Sequence, residues 1–176
     1  GLPLPFTLRW PGTWRRRAQA VWQQAAHWQA LDDAAFAGLR DGVQTALLHQ
    51  GLDGPAAEQA LAYVAEAARR TQGRQAYETQ LMAALALLRG HLAEMATGEG
   101  KSLAAALTAG VAALAGIPVH VLTANDYLVE RDAETFTPLY QLLQLRCAWV
   151  GARHDDAQRR HAYAADVVYA TAREAA

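Results

Sequence analysis

The chain has a single cysteine, Cys147, among 176 residues. One thiol excludes an internal disulfide and any cysteine-based metal cluster, and it reads as a small buried apolar side chain. There is no excess of either charge. Sixteen basic and seventeen acidic side chains leave a formal net charge of −1, which argues against a general electrostatic grip on nucleic acid. There is no long uncharged apolar run and no signal-peptide pattern, so a cytoplasmic, non-spanning protein is expected. An initiator methionine is also missing: Gly1-Leu2-Pro3 predicts an N-terminus that is processed, truncated or left by cloning. His120, His154 and His161 share no metal-ligand spacing, and no nucleophile–base pair stands out. Asp155-Asp156 followed by Arg159-Arg160 suits i, i+4 pairing on an exposed helix rather than a site.

What is present is a globular composition, 52% apolar and 19% charged, long enough for one substantial domain or a small one with an appendage. Leu2 to Trp10 is expected to be extended and Pro11-Gly12 to turn. Thr13 is placed to cap a helix running to about Ala30, with Trp14, Ala18, Val21, Ala25 and Trp28 on one face. Four tryptophans between Trp10 and Trp28, beside Arg15-Arg16-Arg17, also suit a membrane-surface helix. Packing on its own domain is the better reading, because the other polar residues there are neutral glutamines. Asp32 can cap a second helix through Phe36, Leu39, Val43 and Leu47, ended by Gly51. Asp53-Gly54-Pro55 starts a third, stopped by Gly73. A fourth spans Tyr77 to Arg89. The first ninety residues therefore read as helical.

Beyond them the pattern alternates. Strands are predicted over Val119–Thr123, Arg146–Val150 and Asp166–Ala170. A helix capped by Asn125 lies between the first two, broken or kinked at Pro138, and another spans Asp155–Ala164. Strand, helix, strand at this spacing implies a parallel sheet. The last strand falls so near Ala176 that a truncated sheet is expected.

Between the halves lies M-A-T-G-E-G-K-S, Met95 to Ser102. Gly98 and Gly100 let the backbone curl so that N–H groups converge on phosphate oxygens. Lys101 would reach the β- and γ-phosphates, Ser102 would hold Mg²⁺, and the following helix would aim its positive end at the same anion. The plain alternative is a glycine turn before a surface helix. Context decides, and it asks for a strand before the loop, for which His91–Met95 is the candidate. The Glu99 carboxylate should face solvent, since a triphosphate would repel it. Gln80 offers the paired donor and acceptor that suit adenine. Asp166 opens a strand rather than ending it, so it is the wrong end for an acidic metal-site residue. No acidic partner for the loop is apparent.

The run A-E-M-A-T-G-E-G-K-S-L-A-A-A-L, Ala93 to Leu107, resembles the phosphate loop of the SecA family, the motor ATPases of bacterial preprotein translocation. That family's loop also begins with methionine. V-H-V-L-T-A-N-D-Y-L-V-E-R-D-A-E, Val119 to Glu134, is similar to its next motif, and D-V-V-Y-A-T, Asp166 to Thr171, to a later one. Y-E-T-Q-L-M, Tyr77 to Met82, resembles the stretch carrying an adenine-reading glutamine, and Leu31 to Arg40 resembles the helical N-terminal region. Departures mark a divergent relative. Ala96 stands where the family usually has arginine, Ser102 replaces threonine, Ala83-Ala84 a glycine pair, and Ala170 the glycine before Thr171.

The resemblance implies an α/β fold, a P-loop NTPase parallel sheet with flanking helices preceded by an all-helical N-terminal region. It places a helical region at 1–75 and the first part of a RecA-like nucleotide-binding domain at 76–176, truncated before its acidic Mg²⁺ motif. It implies ATP and Mg²⁺ as cofactors, bound by Gln80, Thr97, Gly98, Glu99, Gly100, Lys101 and Ser102. Lys101 is the catalytic candidate and Ser102 the metal ligand. The implied partners are the SecYEG channel, preproteins and an anionic membrane surface, with a location that is cytoplasmic or peripheral on the inner membrane. A helicase-type nucleic-acid motor shares T-G-x-G-K, but the near-neutral charge and the N-D-Y-L-V-E-R-D run weigh against it. A SecA-derived binding module without turnover is the remaining alternative.

Overall fold

A computed structural model of the chain describes residues 12–175, which form nine helices and three strands. The expected extended run over 2–10 and the turn at Pro11 lie outside the described residues. Helix α1 (Gly12–Trp28) buries Trp14, Ala18, Val21, Ala25 and Trp28 along one stripe. Thr13 lies inside this helix rather than capping it. The stripe packs on α4 (Pro55–Gln72) and α5 (Glu78–Leu88). Two of its arginines are tied to the same helices: Arg15 Nε donates to Glu78 Oε1 at 2.7 Å and Arg17 Nε to Glu58 Oε1 at 2.5 Å.

Asp32 caps as expected, its carboxylate accepting from the Ala35 N–H at 2.8 Å. The helix it starts is nevertheless split into α2 (Asp33–Ala37) and α3 (Arg40–Gln50). Gly38 sits at the break, where a helix is weakest, and tertiary anchors pull on both sides of it. Before the break, Phe36 is fully buried and stacks on Tyr63 with ring centroids 4.6 Å apart. After it, Arg40 Nε donates to the Leu143 carbonyl at 2.9 Å.

Nearly every side of α4 is buried, so Leu61, Tyr63 and Val64 each contribute about 1.5–3 kcal/mol of apolar burial. Its one buried acid, Glu66, accepts from Arg69 Nε and Nη2 and from Arg70 Nε, each at 2.8 Å. Arg70 continues to the Trp28 and Leu31 carbonyls at 3.1 and 2.7 Å, bolting the end of α1 to α4. The charge is tolerated because it is fully paired.

The second half holds α6 (Lys101–Leu114), β1 (Val119–Thr123), α7 (Asp126–Leu142), β2 (Cys147–Trp149), α8 (Asp156–Tyr163), β3 (Val167–Thr171) and α9 (Ala172–Ala175). The strands form an open parallel sheet in the order β1-β3-β2, with Val119 opposite Val167 and Cys147 opposite the same residue. Alternation sends Val167 and Tyr169 into one core together with the N-terminal helices, and Val168 and Ala170 to a smaller cluster with Val150 and Ala162 of α8. The fold is thus α/β, with helices on both faces of the sheet and a helical N-terminal region sharing its larger core. No helix among the described residues is long and apolar enough to cross a membrane.

Three local expectations are corrected. His91–Met95 is not a strand: no described residue pairs with it, and its Leu92 is 96% exposed. A strand exists only through its ladder bonds, and apolar content alone cannot supply them. Pro138 does not break α7, which runs through it. The missing donor would have served the Glu134 carbonyl, and burial of Val129, Ala133, Phe136, Leu139 and Tyr140 outweighs that loss. On α8 the acid–base pairs do not form as i, i+4 contacts. Asp155 instead caps the helix through the Gln158 N–H at 2.8 Å, and Arg159 pairs with Glu174.

Candidate functional site

The glycine loop leads straight into α6. Gly98 and Gly100 have φ of +89° and +76°, values that side chains resist and that turn the backbone sharply into the helix. With Gly100 as its N-cap, α6 presents the unsatisfied N–H groups and positive dipole end of its first turn at the loop.

Lys101 and Ser102 open that turn, and they are the only lysine and the only serine in the chain. Lys101 is exposed, and its Nζ donates to the Ala96 carbonyl at 2.8 Å. Glu99 is exposed but folded over the loop: its Oε2 accepts from the Ala96 N–H at 2.7 Å. Its own N–H donates to the Ala96 carbonyl at 3.3 Å. Thr97 is exposed at the start of the turn. Ala96 is therefore the residue on which the loop closes.

Gln80 lies on α5, far away in sequence but directly behind the loop. Its Oε1 accepts from the Tyr77 N–H at 2.9 Å, the reach-back half of a capping box. Its Nε2 donates to the Glu99 carbonyl at 3.0 Å. The side chain is only 4% exposed, so in this arrangement it braces the loop.

Ser102 meets a residue that sequence reasoning missed. Its Oγ donates to Asp132 Oδ2 at 3.1 Å, while Asp132 Oδ1 accepts from Arg131 Nη2 at 2.6 Å. The contact spans thirty residues and joins α6 to α7. A local signal did exist. Val129, Asp132, Ala133 and Phe136 form one buried stripe of α7, and a carboxylate in an apolar stripe asks for a partner. Asp166, by contrast, accepts from the Arg146 N–H at 2.6 Å and serves the sheet, not the loop. Among the described residues no three His, Cys, Asp or Glu side chains gather as metal ligands. His154 is held within its own loop, its Nδ1 accepting from the Gly151 N–H at 3.0 Å.

The donor set fits a polyphosphate with a divalent cation. An exposed ammonium, a glycine turn and a helix N-terminus suit the phosphates. A lone hydroxyl beside a carboxylate suits Mg²⁺, which keeps most of its ligands as water and phosphate oxygens rather than needing a protein cage.

The chain is similar to known proteins of one family. The family model described as the SecA DEAD-like domain matches residues 9–176. Protein translocase subunit SecA 2 of Bordetella avium is 44% identical over 172 residues, covering 92% of this chain and 26% of that protein. The SecA 2 subunit of Thermobifida fusca is 54% identical over 109 residues, covering 62% of this chain and 14% of that protein. The SecA 3 subunit of Mycolicibacterium vanbaalenii is 42% identical over 162 residues, covering 90% of this chain and 20% of that protein. The chain spans about a quarter or less of the length of these curated relatives.

Proposed function

Because this chain belongs to the SecA family, we propose that it is the ATP-binding part of a motor that couples ATP hydrolysis to preprotein translocation across the bacterial inner membrane. The observation that carries the reading is the loop itself: two left-handed glycines delivering the chain's only lysine and only serine to the first turn of a helix. The proposed division falls after residue 75: the part before it, described from residue 12, acts as a helical region packed on the motor, and 76–176 as the first part of its nucleotide-binding domain.

In this reading the N–H groups around Thr97, Gly98, Glu99 and Gly100 cradle phosphate. Lys101 leaves the Ala96 carbonyl to meet the β- and γ-phosphates and offsets charge that develops there. Ser102 ligates Mg²⁺, which supplies charge neutralisation on the phosphates. Gln80 turns from the Glu99 carbonyl to read the adenine edge. The partners are SecYEG, preproteins and an anionic membrane surface, met from the cytoplasmic side.

Neither the Asp132 carboxylate of α7 nor the Glu99 carboxylate of the loop is placed as a free base for water: Asp132 is bonded to Ser102 and Arg131, and Glu99 to Ala96. The chain alone therefore binds nucleotide and hydrolyses it negligibly. Titration with labelled ATP, alongside a phosphate-release assay, tests both halves. Binding that Lys101→Ala abolishes, without turnover, is expected. Robust turnover, or binding indifferent to Lys101→Ala, would sink the reading.

A further inference from the structure

We infer that Asp132 is a positioning residue for metal binding: it accepts the hydrogen bond of the Ser102 hydroxyl so that an oxygen lone pair faces the cation. The inference rests on the phosphate-site reading given above and adds to it a residue on a different helix.

Asp132 is 7% exposed on the packed stripe of α7, where an alanine or leucine would fill the seam without desolvating a charge. The seam does not depend on it. Val129, Ala133, Leu107 and Ala106 are buried in the same core, and the Tyr140 hydroxyl already donates across to the Ala106 carbonyl at 3.3 Å. A buried carboxylate at this position needs another reason.

Hydroxyl chemistry supplies one. Ser102 Oγ has one proton and two lone pairs. Unless something fixes the proton, it can point at the cation and repel it. Asp132 Oδ2, 3.1 Å away, fixes it on the α7 side and raises the electron density of the oxygen. Arg131 holds the opposite oxygen, Oδ1, through Nε at 3.0 Å and Nη2 at 2.6 Å. The carboxylate is thereby locked with a single oxygen offered to Ser102.

The test compares the affinity of a fluorescent ADP for the chain in EDTA and in excess Mg²⁺, for the wild type, Asp132→Asn, Ser102→Ala and the double variant. Asp132→Asn is expected to lower the Mg²⁺-dependent gain in affinity by about tenfold or more. Its metal-free affinity should hold or rise, because a negative charge has left the site. In the Ser102→Ala background Asp132→Asn should change the gain no further. If Asp132→Asn weakens binding equally with and without Mg²⁺, or leaves the gain intact, Asp132 is only a brace between helices and the inference falls. Circular dichroism checks the fold. Should Asp132→Asn not fold, Asp132→Glu keeps the charge but displaces it, and its gain must fall as well. A wild-type chain that binds no ADP overturns the phosphate-site reading itself, whereas binding without any Mg²⁺ gain overturns only the metal assignment and this inference with it.

Discussion

The side-chain amide of Gln80 occupies the space that a side chain on Gly100 would need. A Cβ built on Gly100 would lie 2.2 Å from Gln80 Nε2, the atom that donates to the neighbouring Glu99 carbonyl. The loop's second glycine is thus required twice, once for its φ and once for the close approach of α5.

Gly100→Ala should therefore be worse than Gly98→Ala. Both substitutions meet a left-handed backbone and cost about 1–2 kcal/mol for that reason. Nothing lies within 4 Å of a Cβ at Gly98, so only Gly100→Ala also displaces Gln80. Urea midpoints and ATP titration of the two variants should rank them in that order; equal losses would mean that the contact has no weight.

Gln80→Ala should relieve the clash. Alone it removes the bonds to Tyr77 and Glu99 and destabilises by about 1–2 kcal/mol. Combined with Gly100→Ala, the total should be smaller than the sum by about 1 kcal/mol, the sign of coupling between neighbours. Additive losses would disprove the contact.

Lys101, as the only lysine, makes a selective probe of the loop. An amine acylating reagent should modify Lys101 and the terminal amine alone. Saturating ATP should slow the reaction at Lys101 and leave the terminus unaffected, as read by peptide mass spectrometry. Equal labelling with and without ATP would place phosphate elsewhere.

Alkaline pH should loosen the sheet. Burial pushes the Cys147 thiol up to about 11, and burial also raises Tyr140 and Tyr169, which share a hydroxyl–hydroxyl contact of 3.0 Å. The unfolded thiol gives up its proton from about pH 8.5, the folded one not until about pH 11. Between those values the unfolded chain holds fewer protons, so stability falls as pH rises, by at most about 3 kcal/mol from this group. Urea midpoints measured from pH 7 to 10.5 should show the decline, and Cys147→Ala should flatten it below about pH 9.5, where the unfolded tyrosines still hold their protons.

Tyr63→Phe should be neutral or stabilising. The Tyr63 hydroxyl is buried with no hydrogen-bond partner among the described residues, beneath the stacked Phe36 ring. Removing it takes away an unmet desolvation cost of about 1 kcal/mol. A loss of stability on denaturant unfolding would contradict that environment.

Local chemistry made much of this protein legible from its residues. Gly54-Pro55 and Gly73 bound α4, Asp32 and Asn125 cap their helices, and the β-branched run Val119–Thr123 is β1. The glycine–lysine–serine run was legible as one turn entering a helix because its residues are neighbours in the chain. Family resemblance then turned a weak motif into a specific one, and the SecA DEAD-like match covers the same stretch.

What the residues could not declare depends on partners distant along the chain. Met95 and its neighbours look like a strand by composition, but pairing makes a strand, and none of the described residues supplies it. Pro138 should break a helix by its own geometry, yet burial on α7 overrides it. Gly38 gave no clear sign of a break, which came from Phe36 and Arg40 being drawn to different neighbours. Only the tertiary structure put Gln80 behind Gly100 and Asp132 beside Ser102, contacts bridging 20 and 30 residues. Helix periodicity says which face an acid lies on; packing of α6 against α7 decides which hydroxyl it meets. The amino-acid order alone determined a glycine turn that carries a lysine and a serine into a helix, and the fold determined which side chains hold that turn in place.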